Sequence, residues 1–272
     1  MQTDPLEDPS PDAAFYERRT TEKNPTSDNP EMTGLVRRIH DWCGIEDGFR
    51  VLDFGCYDGY IVRRLRKLAK IHGVGIDISP SAMAQARHAA DNEGLDGLEF
   101  VVSDGAHVPF PNGSFDVVIC SEILEHVPDL DAVLAEISRI LVKGGRVYAT
   151  MPNSLSDVWA PFHPLCRRVD QVEGHLRRMT RTEFIAALQS HGLQPTRVRY
   201  RGFVLSALWY STFIYNPRIK RMGISLISQR ESLSQRTARL AAFSMMRAYI
   251  AFDRLFQGSR RCMGIDAALS KV

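Results

Sequence analysis

Val51-Leu52-Asp53-Phe54-Gly55-Cys56-Tyr57-Asp58-Gly59 decides the fold. Its first four residues form a short apolar run, the length of a buried strand rather than of a helix. Gly55 and Gly59 then supply a turn in which backbone can approach a ligand closely. Tyr60 to Ile71 follows as a basic amphipathic helix.

The pattern repeats outward. Gly73-Val74-Gly75-Ile76-Asp77 reads as a second strand ending in an acid, and Ser81 to Glu93 as a helix with Pro80 at its start. Leu98 to Val102 is a third strand ending near Asp104, and Phe115 to Cys120 a fourth, almost wholly apolar. Leu130 to Leu141 is expected as a helix closed by Gly144-Gly145, with Arg146 to Met151 as a fifth strand. Near-continuous apolar strands alternating with helices predict a parallel sheet covered on both faces. Upstream, Glu31 to Cys43 reads as a helix with Leu35, Val36 and Ile39 on one face. Downstream come a helix over Thr182 to Ser190, capped by Thr180 or Thr182, a strand over Gln194 to Tyr200 and a last strand over Ile265 to Ser270.

With 272 residues and 44% hydrophobic content, the chain is neither disordered nor a small disulfide scaffold. The cysteines, Cys43, Cys56, Cys120, Cys166 and Cys262, are odd in number and scattered. They lack zinc-ribbon and thioredoxin spacings and fit a reducing compartment. No histidine or acidic cluster has metal-ligand spacing along the chain, so no catalytic metal is expected. Residues 1–30 hold five prolines and are expected to be mobile, with Phe15-Tyr16-Glu17-Arg18 the part that would order over a ligand. The acidic, proline-rich start does not read as a secretion signal, which places the chain in the cytoplasm. From Arg177 onward there are 17 basic and 4 acidic residues, a segregation that speaks to partners.

The candidate site lies at the carboxyl ends of the strands, where such sheets bind ligands. Asp53 can accept from an amine. Asp77, 22 residues past Gly55, can accept both hydroxyls of a ribose. Asp104 can accept from an adenine amino group. Ser121-Glu122-Ile123-Leu124-Glu125-His126 lines the same rim.

These stretches, with GVGIDIS (73–79), VVSDGAHVPFPNGSFDVVICSEILEHVPD (101–129) and LVKGGRVYATMPN (141–153), resemble the class I S-adenosylmethionine-dependent methyltransferases of the small-molecule and lipid branch. The resemblance implies a doubly wound α/β fold: a Rossmann-like, mostly parallel seven-stranded sheet with a C-terminal helical insertion. It implies S-adenosylmethionine as cofactor and S-adenosylhomocysteine as product. Asp53 and Gly55 would hold the methionine part, with Tyr57 and Gly59 in the same turn. Asp77 would bind the ribose beside Ile78. Ser103, Asp104 and Gly105 would meet the adenine end, and Ser121 would lie near the carboxylate or sulfonium. Tyr57 stands where the family has its central loop glycine, so its side chain either points away from the cofactor or partly covers it.

A hydroxyl acceptor would need a base, for which His126 and His175 are the candidates, with loop orientation and packing as the alternative. Tyr16, Glu122, Trp159 and His163 are candidate acceptor contacts, although His163 also fits a rigid proline turn. The expected organisation is an N-terminal lid (1–30), a methyltransferase core (31–201), a basic amphipathic helical cap (202–262) and a final core strand (263–272). The cap either closes the acceptor pocket or lies on an anionic membrane at its inner face, and the two are compatible. Nucleic acid is disfavoured, because Ser121-Glu122-Ile123-Leu124 stands where base-amino methyltransferases carry an Asn-Pro-Pro-Tyr type motif. The oligomeric state is left open. Two other readings are a non-catalytic cofactor-binding scaffold, compatible with Tyr57, and a nicotinamide oxidoreductase, which would want Gly-x-Gly-x-x-Gly.

Overall fold

A computed structural model describes residues 13–22, 26, 28–202, 233–256 and 258–272. Five parallel strands are built as the alternation predicts: β1 (Arg50–Phe54), β2 (His72–Asp77), β3 (Leu98–Val102), β4 (Phe115–Cys120) and β5 (Leu141–Pro152). Two more, β6 (Leu193–Arg201) and β7 (Gly264–Lys271), complete a sheet of order β3-β2-β1-β4-β5-β7-β6 in which β7 runs antiparallel to both neighbours.

Helices cover both faces. α2 (Pro30–Cys43), α3 (Tyr60–Leu68) and α4 (Pro80–Asn92) lie on one, and α5 (Leu130–Ile140) and α7 (Arg181–Gln189) on the other. The period of two in a strand explains the split. Val51, Val117 and Ile119 join the first core, while Leu52, Val118 and Cys120 join the second. All five cysteines are buried and free. Caps sharpen the helix starts: Asn29 before α2, Ser79 before α4, Asp129 before α5, and a Thr180–Glu183 capping box before α7.

Three expectations change. Gly144-Gly145 do not close a helix. α5 ends at Ile140, and Leu141 already pairs with Phe115, so the glycines sit in an irregularity inside β5 where the register shifts. Part of the proline-rich N-terminal segment is ordered as α1 (Ala13–Glu22), and Phe15 to Arg18 fall within it. A helix the periodicity did not yield, α6 (His163–Glu173), follows a 3₁₀ turn at Ala160–Phe162. Between β6 and β7, α8 (Leu233–Asp253) packs against α2. The remainder of the expected cap, 203–232, lies outside the described residues, as do residues 1–12.

Candidate active site

The strand order reverses between the neighbours β1 and β4, so the turns after them diverge and leave a crevice at their carboxyl ends. A cavity of about 130 Å³ lies there. Gly55 and Tyr57 border it from the β1 turn, Asp77 from the end of β2, and Glu122, Ile123 and His126 from the segment after β4. α1 contributes Tyr16, Arg19 and Thr20, and Glu173 of α6 closes one side. A larger open groove of about 430 Å³ between α4 and the β3 edge has no such strand-end cluster.

The turn is tied down by two backbone N–H groups, Gly55 and Cys56, both donating to the Ile76 carbonyl at 2.8 Å. A Cβ on Gly55 would stand 2.6 Å from Ile123 Cδ1, so glycine lets the two strand-end segments close on each other. Tyr57 adopts φ +50°, a left-handed conformation that costs a non-glycine residue on the order of 1 kcal/mol. Its N–H donates to Asp77 Oδ2 at 2.9 Å, which helps offset that cost. The residue borders the cavity and its hydroxyl is buried without a hydrogen-bond partner. Tyr57 therefore covers the site instead of pointing away, and burial pushes the phenol up to about 12.

Asp77 also accepts from Ser79 N–H at 3.0 Å, so two backbone donors fix its carboxylate at the rim. Burial raises its pKa against their pull. α1 is docked over this rim by charge. Glu17 accepts from the hydroxyls of Ser79 and Ser81 at the start of α4, where a negative charge is favoured, and its carboxyl is held below the usual range. Arg19 pairs with Glu173 and donates to the Val172 carbonyl at 2.7 Å.

Residues 52–149 match the family model described as a methyltransferase domain. By that match the segment is a methyltransferase domain. A sterol 24-C-methyltransferase of Gibberella zeae is 41% identical over 103 residues, which are 38% of this chain and 27% of that protein. A 27-O-demethylrifamycin SV methyltransferase of Amycolatopsis mediterranei is 30% identical over 169 residues, 60% of each. The chain thus spans less than two thirds of either relative's length. The solved phosphoethanolamine N-methyltransferase 2 of Haemonchus contortus, in complex with S-adenosyl-L-methionine, shares the fold: TM-score 0.60 at 19% identity, covering 88% of this chain and 52% of that one.

Within the methyltransferase domain, the other expected positions fall into groups. Gly59 caps the start of α3 at φ +68°, facing Phe100 rather than the cavity. Ser103, Asp104 and Gly105 follow β3. Ser103 N–H donates to the Asp77 carbonyl at 3.0 Å, and Asp104 caps its own turn through Ala106 N–H. Ile78, half-buried, sits beside Asp77, and Ser121, half-buried, ends β4. None of these borders the cavity as α1 now roofs it.

Asp53 lies outside the cavity lining. It is 2% exposed, and one oxygen has no hydrogen-bond partner. Burial raises its carboxyl to about 7, with nearby Asp58 and Asp77 adding to the shift. Trp159 and His163 are likewise not brought to the cavity. Trp159 is exposed at the head of the 3₁₀ turn, and His163 Nε2 bonds to the Val158 carbonyl at 3.1 Å, the rigid-turn alternative.

His126 and His175, 49 positions apart, come together with ring centroids 4.9 Å apart, and Tyr16 meets His126 edge-on at 5.8 Å. His126 Nδ1 lies 3.2 Å from the Gly174 carbonyl, and His175 Nδ1 lies 2.7 Å from Asp170 Oδ1. Burial first, and His175 second, lower His126 to about 4. Sequence reasoning missed Asp170, and it gave Glu125 and Glu17 only as members of the rim segment and of the N-terminal patch, with no role of their own. Glu125 is fully buried beside the two histidines, and its carboxyl is pushed well up by burial. Its signal was present as an acid inside an apolar segment, and Asp170 could have been found five residues before His175 at a helix end.

Proposed function

We propose that the protein transfers a methyl group from S-adenosylmethionine to a small, lipid-like acceptor and releases S-adenosylhomocysteine. The observation that carries this is the Asp77 carboxylate, fixed by two backbone N–H groups at a cavity where β1 and β4 diverge. The residues fit the cofactor. Asp77 offers both oxygens to ribose hydroxyls, and Ser103, Asp104 and Ile78 lie at the adjacent strand end for the adenine. The Gly55–Gly59 turn presents backbone to the methionine part, and the buried hydroxyls of Tyr16 and Tyr57 lack partners until a guest supplies them. Bound there, S-adenosylmethionine supplies a methyl already activated on a sulfonium. The protein's task is to position an acceptor and exclude water. α1 roofs the cavity with Tyr16, Arg19 and Thr20 and serves as the lid.

The acceptor side is bordered by Glu122, His126 and Glu173. His126 is neutral near pH 7 and a weak base, so proton abstraction suits it poorly. His175 is held in place by the Asp170 carboxylate at its Nδ1.

The sterol names among the relatives favour a lipid-like acceptor, and the demethylrifamycin name another small molecule. A membrane face is supported by α8 and the residues after it, where Leu240, Met245, Phe252 and Leu255 are exposed near Arg247, Arg254, Arg260 and Arg261. Among the described residues no helix is long and apolar enough to cross a membrane. The test is transfer of labelled methyl to lipid-like alcohols, phenols and sterols presented in phosphatidylglycerol vesicles. Label is expected in the lipid extract, with the protein sedimenting with vesicles at low salt and released as salt rises. Label in no acceptor class, from a sample that binds S-adenosylhomocysteine, would favour the scaffold reading.

A further inference from the structure

We propose that Glu125, His126 and His175 bind a divalent transition-metal ion at the acceptor side of the cavity. One carboxylate oxygen and one ring nitrogen from each histidine lie within 4.8 Å of one another. Ligand atoms sharing one cation at about 2.1 Å stand roughly 3 to 4 Å apart, so small side-chain rotations close the set.

Three observations point to a ligand. Glu125 is 0% exposed, and among the described residues neither carboxylate oxygen has a hydrogen-bond partner. A buried carboxylate left in that condition is costly unless something occupies it. The second observation is tautomeric. The Gly174 carbonyl and the Asp170 carboxylate can only accept, so each histidine carries its proton on Nδ1. In the neutral rings both Nε2 lone pairs are then available to a cation. A carbonyl or carboxylate behind the imidazole is also the arrangement that orients metal-bound histidine. The third is access, because His126 borders the cavity and leaves open coordination positions facing it.

Two imidazoles and one carboxylate suit zinc, iron, cobalt or manganese better than magnesium or calcium, which favour all-oxygen sets. Glu122 is not part of the set, since Thr150 and Arg201 already hold its carboxylate. The role of the ion rests on the methyl-transfer reading. An acceptor hydroxyl bound to it would release its proton to solvent near neutral pH, as metal-bound water does, and present an anionic oxygen to the methyl. The binding itself does not depend on that reading.

The test is equilibrium dialysis of the full chain against Zn²⁺, followed by Co²⁺ titration in the visible range. One equivalent of Zn²⁺ and Co²⁺ d–d bands without a thiolate charge-transfer band are expected, which separates this site from the five cysteines. Glu125→Gln, close in shape to the native residue, and His175→Ala should each weaken binding more than tenfold. Calorimetry with S-adenosylhomocysteine on the same samples reports the cofactor site separately. Saturable cofactor binding with no saturable metal binding, or equal metal binding in Glu125→Gln, would overturn the metal site and leave methyl transfer standing. Metal bound without cofactor would do the reverse.

Discussion

Asp77→Ala is expected to weaken S-adenosylhomocysteine binding by roughly 10²- to 10³-fold, measured by calorimetry and by the loss of ligand-induced thermal stabilisation. Of Asp53, Asp77 and Asp104, it is Asp77 that the structure both orients and turns to the cavity. A charge-assisted hydrogen bond contributes about 1.5–3 kcal/mol, and a ribose offers two hydroxyls. The substitution also frees the N–H groups of Tyr57 and Ser79, loosening the turn that is already in a left-handed conformation. Unchanged affinity in a folded variant would contradict the assignment of the β2 end to the cofactor.

Asp266→Ala is expected to cost about 3–5 kcal/mol of stability. Asp266 sits in the middle of β7 with no exposure, facing Arg38 at 3.2 Å, Arg199 at 2.8 Å and Arg201 at 2.7 Å. Without it, three guanidinium groups are left close together and largely desolvated. At about 2–4 °C per kcal/mol for a domain of this size, the midpoint should fall by roughly 6–20 °C. The arginines hold the carboxyl below its usual range despite burial. Its stabilisation is therefore present above the unfolded carboxylate pKa, near 4, and is lost as pH falls through the lower folded value. The variant should lose most of the wild-type dependence on acid in that window. Arg201 also holds Glu122, so acceptor affinity should fall with stability. A midpoint within about 2 °C of wild type would show that the cluster relaxes without its acid.

The sheet was legible because its signals are local and periodic. Apolar runs over β1 to β4 and an acid or glycine at each strand end fix both the elements and their carboxyl rim. Tyr57 was legible as a departure, but only the backbone shows that it keeps a glycine's φ. What the sequence concealed is contact across the chain. His126 and His175 meet because α6 returns the Gly174–His175 turn to the segment after β4, where Leu176 N–H donates to the Glu125 carbonyl at 2.8 Å. The absence of metal spacing along the chain says nothing about such a meeting. Asp53 illustrates a related point: a strand-end acid can border the cavity, as Asp77 does, or be buried outside its lining, and residue type does not separate the two. α1 was obscured by prolines around it, although Glu17 fits the start of α4 through Ser79 and Ser81.

The most direct measurement is calorimetric titration of the full chain with S-adenosylhomocysteine, with NAD as the control. The account predicts saturable one-to-one binding of the first in the micromolar range and none of the second. No binding of S-adenosylhomocysteine by the folded protein, or binding of NAD in its place, would contradict it.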